Sequence, residues 1–168
     1  MSKHRVRGFE KISIEQWGKD VGEYADQSIQ FVWHDIVLPK RATSHSSGYD
    51  IFAVHGFTLN HKEEIKLPTG WKSYMQPSEW LLIMPRSGLG FKYYTRLANT
   101  IGNGDSDYYN NSGNEGHYWV KIRNEGYKPL SIKQGDAIAQ CVFLPYLLAD
   151  DDSFKGKERI GGIGSTNE

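Results

Sequence analysis

Short apolar runs, each broken after a few residues by glycine, proline or small polar residues, set the rhythm of this chain. Runs of strand length fall at 30–38, 49–55, 64–67, 71–75, 80–85, 97–101, 117–123, 130–132 and 137–145. Between them lie turn clusters: Ser46-Ser47-Gly48, Pro68-Thr69-Gly70, Gln76-Pro77-Ser78, Asn124-Glu125-Gly126 and Gln134-Gly135-Asp136. Strands this short and this evenly spaced predict an antiparallel all-β sandwich or barrel, with no alternation of strand and helix. Within Tyr118-Trp119-Val120-Lys121-Ile122-Arg123, apolar residues recur at 118, 120 and 122, the pattern of a half-buried strand. One segment carries a helical period instead. Ser13 stands at a cap position with Gln16 three residues on, and Ile14, Trp17, Val21 and Tyr24 follow at helical spacing. Gly18 and Gly22 weaken that helix. No internal repeat is visible. From 155 to 168 the chain turns polar and glycine-rich, which predicts an arm that moves until something binds it.

The length of 168 residues suits one domain with a sizeable core. Lys plus Arg and Asp plus Glu balance at 20 each, so no basic surface argues for a nucleic-acid backbone as partner. A single cysteine, Cys141, excludes an intramolecular disulfide and suits a reducing compartment. It lies in the apolar run 137–144, where burial is expected. No stretch approaches the roughly 20 apolar residues of a membrane span, and the charged N-terminal residues have no apolar run behind them as a secretory signal would. The cytoplasm is the expected location.

Candidate chemistry is concentrated in a few places. The histidines show no short metal-ligand spacing. No serine sits in a Gly-x-Ser-x-Gly elbow, and no Walker-type phosphate loop is present. Five other blocks combine acids, cations and glycines: 47–53 with Asp50; Pro85-Arg86-Ser87-Gly88; 99–116 with Asn99, Gly102, Asp105 and Tyr108; 135–140 with Gln140; and 159–166 with Arg159, Gly164, Ser165 and Thr166. Singly, each has a plain structural explanation. Asp50 caps a turn, Arg86 pairs with a surface acid, and Gly135-Asp136 closes a hairpin.

Taken in order, these blocks resemble the five motifs of the trimeric dUTP pyrophosphatase (dUTPase) family, over about residues 7–168. The likeness is strongest to forms from Gram-positive bacteria and their phages, which share pieces similar to Arg7-Gly8-Phe9-Glu10, Leu38-Pro39-Lys40-Arg41, Tyr108-Tyr109 and Asn114-Glu115-Gly116-His117. The resemblance implies an all-β distorted jelly-roll or β-barrel domain over 1–154, with a short N-terminal helical insertion at about 14–27. A flexible glycine-rich C-terminal arm over 155–168 would follow. It implies attack of water on the α-phosphorus of dUTP, giving dUMP and pyrophosphate, with Mg²⁺ and in a bacterial cytoplasm, host- or phage-encoded. By resemblance, Asp105 is the catalytic base, Tyr108 packs under the deoxyribose and excludes a 2′-hydroxyl, and Asn99 with Gly102 and the 105–116 hairpin reads uracil. Arg86, Ser87, Gly88 and Gln140 hold phosphates, and Asp50 holds a metal-bound water. Arg159, Gly164, Ser165 and Thr166 belong to the arm that closes over the γ-phosphate. In the family each site draws on all three subunits of a homotrimer.

The sequence departs from the family pattern at four points. Asn103-Gly104 replaces two aliphatic residues before Asp105, and reads alone as a tight turn. Asn110 stands for a glycine, Ala137 for a basic residue, and Ile163 for the arm phenylalanine that stacks on uracil. Two rival readings remain. A dCTP deaminase would need a glutamate where Lys121 stands. A dUTP-binding regulatory protein with weak catalysis, like phage dUTPases that bind regulatory proteins, could use the segment 16–30 as its surface. In the plainer alternative, Trp17, Val21 and Tyr24 pack that segment onto the sheet or the trimer seam.

Overall fold

The computed structural model describes residues 5–22, 32–153, 156 and 159–162. Among them the chain order is β1 (Gly8–Lys11), α1 (Ile14–Val21), β2 (Tyr49–Phe52), β3 (Phe57–Leu59), β4 (Glu64–Pro68), β5 (Trp71–Tyr74), β6 (Glu79–Pro85), α2 (Ser87–Tyr93), β7 (Thr95–Leu97), β8 (Gly102–Asp105), β9 (Trp119–Asn124), β10 (Leu130–Ile132) and β11 (Ala137–Pro145). The strands pair antiparallel throughout. They form a four-stranded sheet β2-β11-β6-β8, a three-stranded sheet β4-β9-β7, and the pairs β1-β5 and β10-β3. The expected all-β architecture is the observed one.

Alternation along the strands builds the core. In β9, Val120 and Ile122 point inward and Lys121 outward, as the period of two requires. They join Ile51, Leu67, Trp71, Leu81, Leu130, Ile138 and Cys141 in one buried cluster. Burial there pushes the Cys141 thiol pKa up, so the residue is a core side chain.

A smaller cluster mounts the N-terminal helix on this body. Ser13 caps α1 by accepting from the Gln16 backbone N–H, worth about 1 kcal/mol. Trp17 and Val21 are fully buried against Ile12, Ile36 and Val54, while Ile14 is half exposed and lies off the packing face. Each such large apolar side chain contributes about 1.5–3 kcal/mol. The apolar face of the helix is thus used inside the chain. Tyr24 and the rest of the insertion to 27 lie outside the described residues.

Three sequence expectations are corrected. Residues 32–35, expected within a strand over 30–38, form a 3₁₀ turn. Val32, Trp33 and Ile36 face one side at helical spacing and pack with α1, and Trp33 Nε1 donates to the Ile12 carbonyl at 3.1 Å. The strand expected over 97–101 is β7 ending at Leu97, then a turn with Thr100 at φ 67°. Asn103-Gly104, expected as a tight turn, lies inside β8, paired with Leu82 and Leu81 of β6. A Cβ at Gly104 would come within 2.2 Å of the Tyr118 hydroxyl, so glycine lets the strand pass over that ring. The strands β1 and β3 and the helix α2, with Gly88 and Gly90 inside it, were not expected.

Candidate active site

The residues singled out by the sequence fall into two groups on the four-stranded sheet. At one end of β6, Asp105 closes β8 opposite Trp80 and leads into a 3₁₀ turn, Ser106–Tyr108. Asn99, Gly102, Asp105 and Tyr108 border one open cleft of about 310 Å³, which Arg159 and Gly162 also reach. At the other end of the sheet, Gln140 of β11 stands between Asp50 of β2 and Met84 of β6. Arg86 follows β6 directly and pairs with Asp50 at 3.1 Å, and Ser87 and Gly88 open α2. Gln140 Nε2 donates to the Pro85 carbonyl at 3.3 Å. Asp105 beside Trp80 and Arg86 after Pro85 stand about 20 Å apart along an extended strand, while Gly102, paired with Ile83, lies one step along β6 from Met84, the partner of Gln140.

The loop after Asp105 is cross-linked by its asparagines. Asn111 Oδ1 accepts from the backbone N–H groups of Gly113 and Asn114, both at 3.0 Å, and its Nδ2 donates to the Tyr108 carbonyl at 2.8 Å. Tyr108 is pinned at its tip: its hydroxyl donates to the His117 carbonyl at 2.7 Å and accepts from Asn114 Nδ2 at 2.8 Å. Burial raises its pKa, so it remains a neutral phenol.

Asp105 itself is held by two donors. Asn103 Nδ2 donates to Oδ1 at 3.2 Å, and Arg159 Nη2 pairs with Oδ2. Arg159 also donates to Asp107 at 2.8 Å and lies 5.9 Å over the Tyr108 ring. In this structure, then, Arg159 of the arm rests on the chain's own acidic loop. Gly164, Ser165 and Thr166 lie outside the described residues. Lys121 is exposed and pairs with Glu64 at 2.5 Å.

Four residues that border the cleft were not singled out as site residues by sequence: Ile83, Asn103, Tyr118 and Trp119. Tyr118 and Trp119 looked like ordinary strand positions. The available signal was the glycine at 104, which marks a bulky neighbour across the sheet.

A family model described as dUTPase matches residues 34–166. A deoxyuridine 5′-triphosphate nucleotidohydrolase of Lactococcus lactis is 39% identical over 163 residues, covering 96% of this chain and 98% of that protein. The crystal structure of a dUTPase from Streptococcus mutans superposes with a TM-score of 0.64 at 34% identity, over 85% of this chain and 98% of that one. A mutant dUTPase from phage phi11 of S. aureus, studied for the coordination of a structural Mg(II) ion, shares the fold with a TM-score of 0.62 at 17% identity. That match covers 92% of this chain and 100% of the phage protein.

Proposed function

We propose, from the premise that this chain belongs to the dUTPase family and is a dUTP diphosphatase, that Asp105 activates the water that attacks the α-phosphorus of dUTP. The observation that carries this reading is the cleft shared by Asp105 and the pinned ring of Tyr108. The carboxylate takes a proton as the water oxygen bonds to phosphorus, the α–β bridge breaks, and pyrophosphate leaves with the bonding electrons. Tyr108, fixed at both its ring turn and its hydroxyl, packs under the deoxyribose and leaves no room for a 2′-hydroxyl. Asn99, Gly102 and the hairpin backbone read uracil, and a wrong base is rejected because it leaves those groups unpaired.

Arg86, Ser87, Gly88 and Gln140 take the phosphates, where the guanidinium and the two polar side chains offset the developing charge. Mg²⁺ fits this donor set. Among the described residues, no three of His, Cys, Asp or Glu cluster to hold a metal alone. Asp50 offers one carboxylate beside Arg86, which suits a hard ion carried mainly by phosphate and water oxygens. Asp50 would hold it through a bound water, and the ion would supply counter-charge to the triphosphate. Arg159 leaves Asp105 when substrate arrives and, with Gly164, Ser165 and Thr166, closes over the γ-phosphate.

The separation of about 20 Å between Asp105 and Arg86 along β6 supports a site assembled from different copies, and a homotrimer is the assembly that the family resemblance implies. No helix among the described residues is long and apolar enough to cross a membrane, and a bacterial cytoplasmic setting belongs to the same proposal.

Pyrophosphate release with Mg²⁺, measured across dUTP, dCTP, dTTP and UTP, tests the reading. Turnover is expected with dUTP alone, and equal turnover of UTP overturns the role of Tyr108. Asp105→Asn should retain dUTP binding and lose at least about a hundredfold in kcat. Retained turnover would place the base elsewhere.

A further inference from the structure

We propose that helix α1 is a positioning element of the substrate pocket, in which Ser13 and Asp20 set the loop that carries Tyr108 by gripping Glu115 and His117. This rests on the reading of Tyr108 as the residue under the deoxyribose.

The grip has two points, one at each end of the helix. At the C-terminal end, Asp20 Oδ2 lies 2.6 Å from His117 Nδ1. The other imidazole nitrogen, Nε2, accepts the Gly70 backbone N–H at 2.9 Å, so it must keep its lone pair. The ring proton therefore sits on Nδ1 and is donated to Asp20, which fixes one tautomer and one ring orientation. Gln16 Nε2 holds the second oxygen of Asp20 at 2.8 Å, within the same helix. His117 is fully buried, with Trp17 of α1 at 6.0 Å and Trp119 at 5.1 Å between ring centroids. Its carbonyl receives the Tyr108 hydroxyl. The chain of contacts runs from α1 through one immobile ring to the residue that selects the sugar.

At the N-terminal end, Ser13 Oγ donates to Glu115 Oε1 at 2.5 Å and the Ser13 backbone N–H to Oε2 at 3.0 Å. Lys72 Nζ reaches the same carboxylate at 3.1 Å. The backbone between the two grips is unusual. Glu115 has φ 57° and Gly116 φ 84°, and a Cβ at Gly116 would come within 2.5 Å of the Tyr108 carbonyl oxygen. A left-handed non-glycine residue persists only where its surroundings over-determine it, and the Ser13 contacts to Glu115 do that here.

A helix that merely covered the sheet would need Trp17 and Val21 alone. Burying an imidazole beside a carboxylate is unfavourable unless the two are hydrogen-bonded, and here that bond ties α1 to another part of the chain. What it fixes is the 115–117 corner under Tyr108.

The test uses the full chain, with kcat and KM for dUTP and for UTP measured below each variant's melting temperature. Hydrogen exchange at the amides of 108–117 gives a readout independent of activity. Asp20→Ala is expected to raise KM for dUTP about tenfold, narrow the preference for dUTP over UTP by a similar factor, and speed exchange in the loop. Asp20→Asn keeps an acceptor for the Nδ1 proton and should restore most of both. Ser13→Asp still caps the helix but loses the hydroxyl donor and sets like charges together, so it should move KM and exchange in the same direction. If Asp20→Ala fails to fold, Ser13→Asp decides. Wild-type KM, substrate preference and loop exchange in Asp20→Ala or Ser13→Asp would overturn the proposal, leaving α1 as a cover. An unmutated chain inactive on dUTP would overturn the substrate reading instead, and the exchange data would still judge the coupling.

Discussion

At the scale of single residues, the pair Gly104 and Tyr118 shows how a departure from a family pattern can be structurally closed. Tyr118 is buried, accepts from Ser73 Oγ at 3.1 Å, and stacks on Trp71 with ring centroids 4.9 Å apart. Its tip occupies the space that an aliphatic side chain at 104 would need. Restoring such a side chain alone should therefore harm the protein. Gly104→Val is expected to destabilise by about 1–3 kcal/mol through overpacking, read from chemical denaturation. Combined with Tyr118→Ala, which vacates the space, the loss should be less than the sum of the two single losses, a coupling that a double-mutant cycle measures. Full additivity would mean that the two positions do not share the volume. Asn103, the other departure, faces Asp105 and donates to it, so the Asn103-Gly104 step presents one side chain to the proposed base and none to the core.

At the scale of elements, legibility followed how local the determinants were. Strands β10 and β11 lie where the apolar runs 130–132 and 137–145 placed them, because a glycine turn precedes β11, even though its pairing with β2 shifts register between Ala137 and Ala139. The run 30–38 is also rich in apolar residues, yet Val32, Trp33 and Ile36 meet α1 rather than a strand, a tertiary fact absent from the run itself. The helix α2 was hidden because Gly88 and Gly90 argue against a helix, and it ends on Tyr94 in the left-handed region with its N–H bonded to Gly90. Of the proposed site, the acids and cations were named through the resemblance of five ordered blocks to the family's motifs, since each block alone reads as structural. The buried supports, Tyr118 and the Asp20–His117 pair, were not, since nothing near them in sequence names the partner. The arm can be judged at this scale. Both core clusters lie wholly before residue 145, so ending the chain at Ser153 should cost less than about 1 kcal/mol of stability, because the ion pairs of Arg159 are partly solvated. Turnover of dUTP should nevertheless fall clearly. An unchanged kcat in the truncated chain would remove the arm from the mechanism.

For the whole molecule, acid stability follows from the groups that folding shifts. Burial holds the His117 pKa below its ordinary 6.5, with Lys66 adding to this while Asp20 and Glu115 oppose it. The unfolded chain therefore binds more protons than the folded one below about pH 6.5, and stability should decline as pH falls through that value. Hydrogen bonding to Arg7 keeps Glu79 below the ordinary carboxylate range. Glu115 is also lowered, since contacts from Ser13 and Lys72 outweigh its burial. Those contributions are present above about pH 4.5 and are lost on further acidification, so the urea midpoint should drop in two stages. Assembly yields the sharpest expectation. If each site takes Asp105 from one copy and Arg86 from another, then Asp105→Asn and Arg86→Ala chains are each inactive alone. Refolded together in equal amounts, they form mixed trimers, and a given site receives both intact residues with a chance of about one in four. Recovery of about a quarter of wild-type dUTP turnover is expected, rising and falling with the mixing ratio. A site contained within one chain would recover nothing at any ratio, because every copy carries one of the two defects.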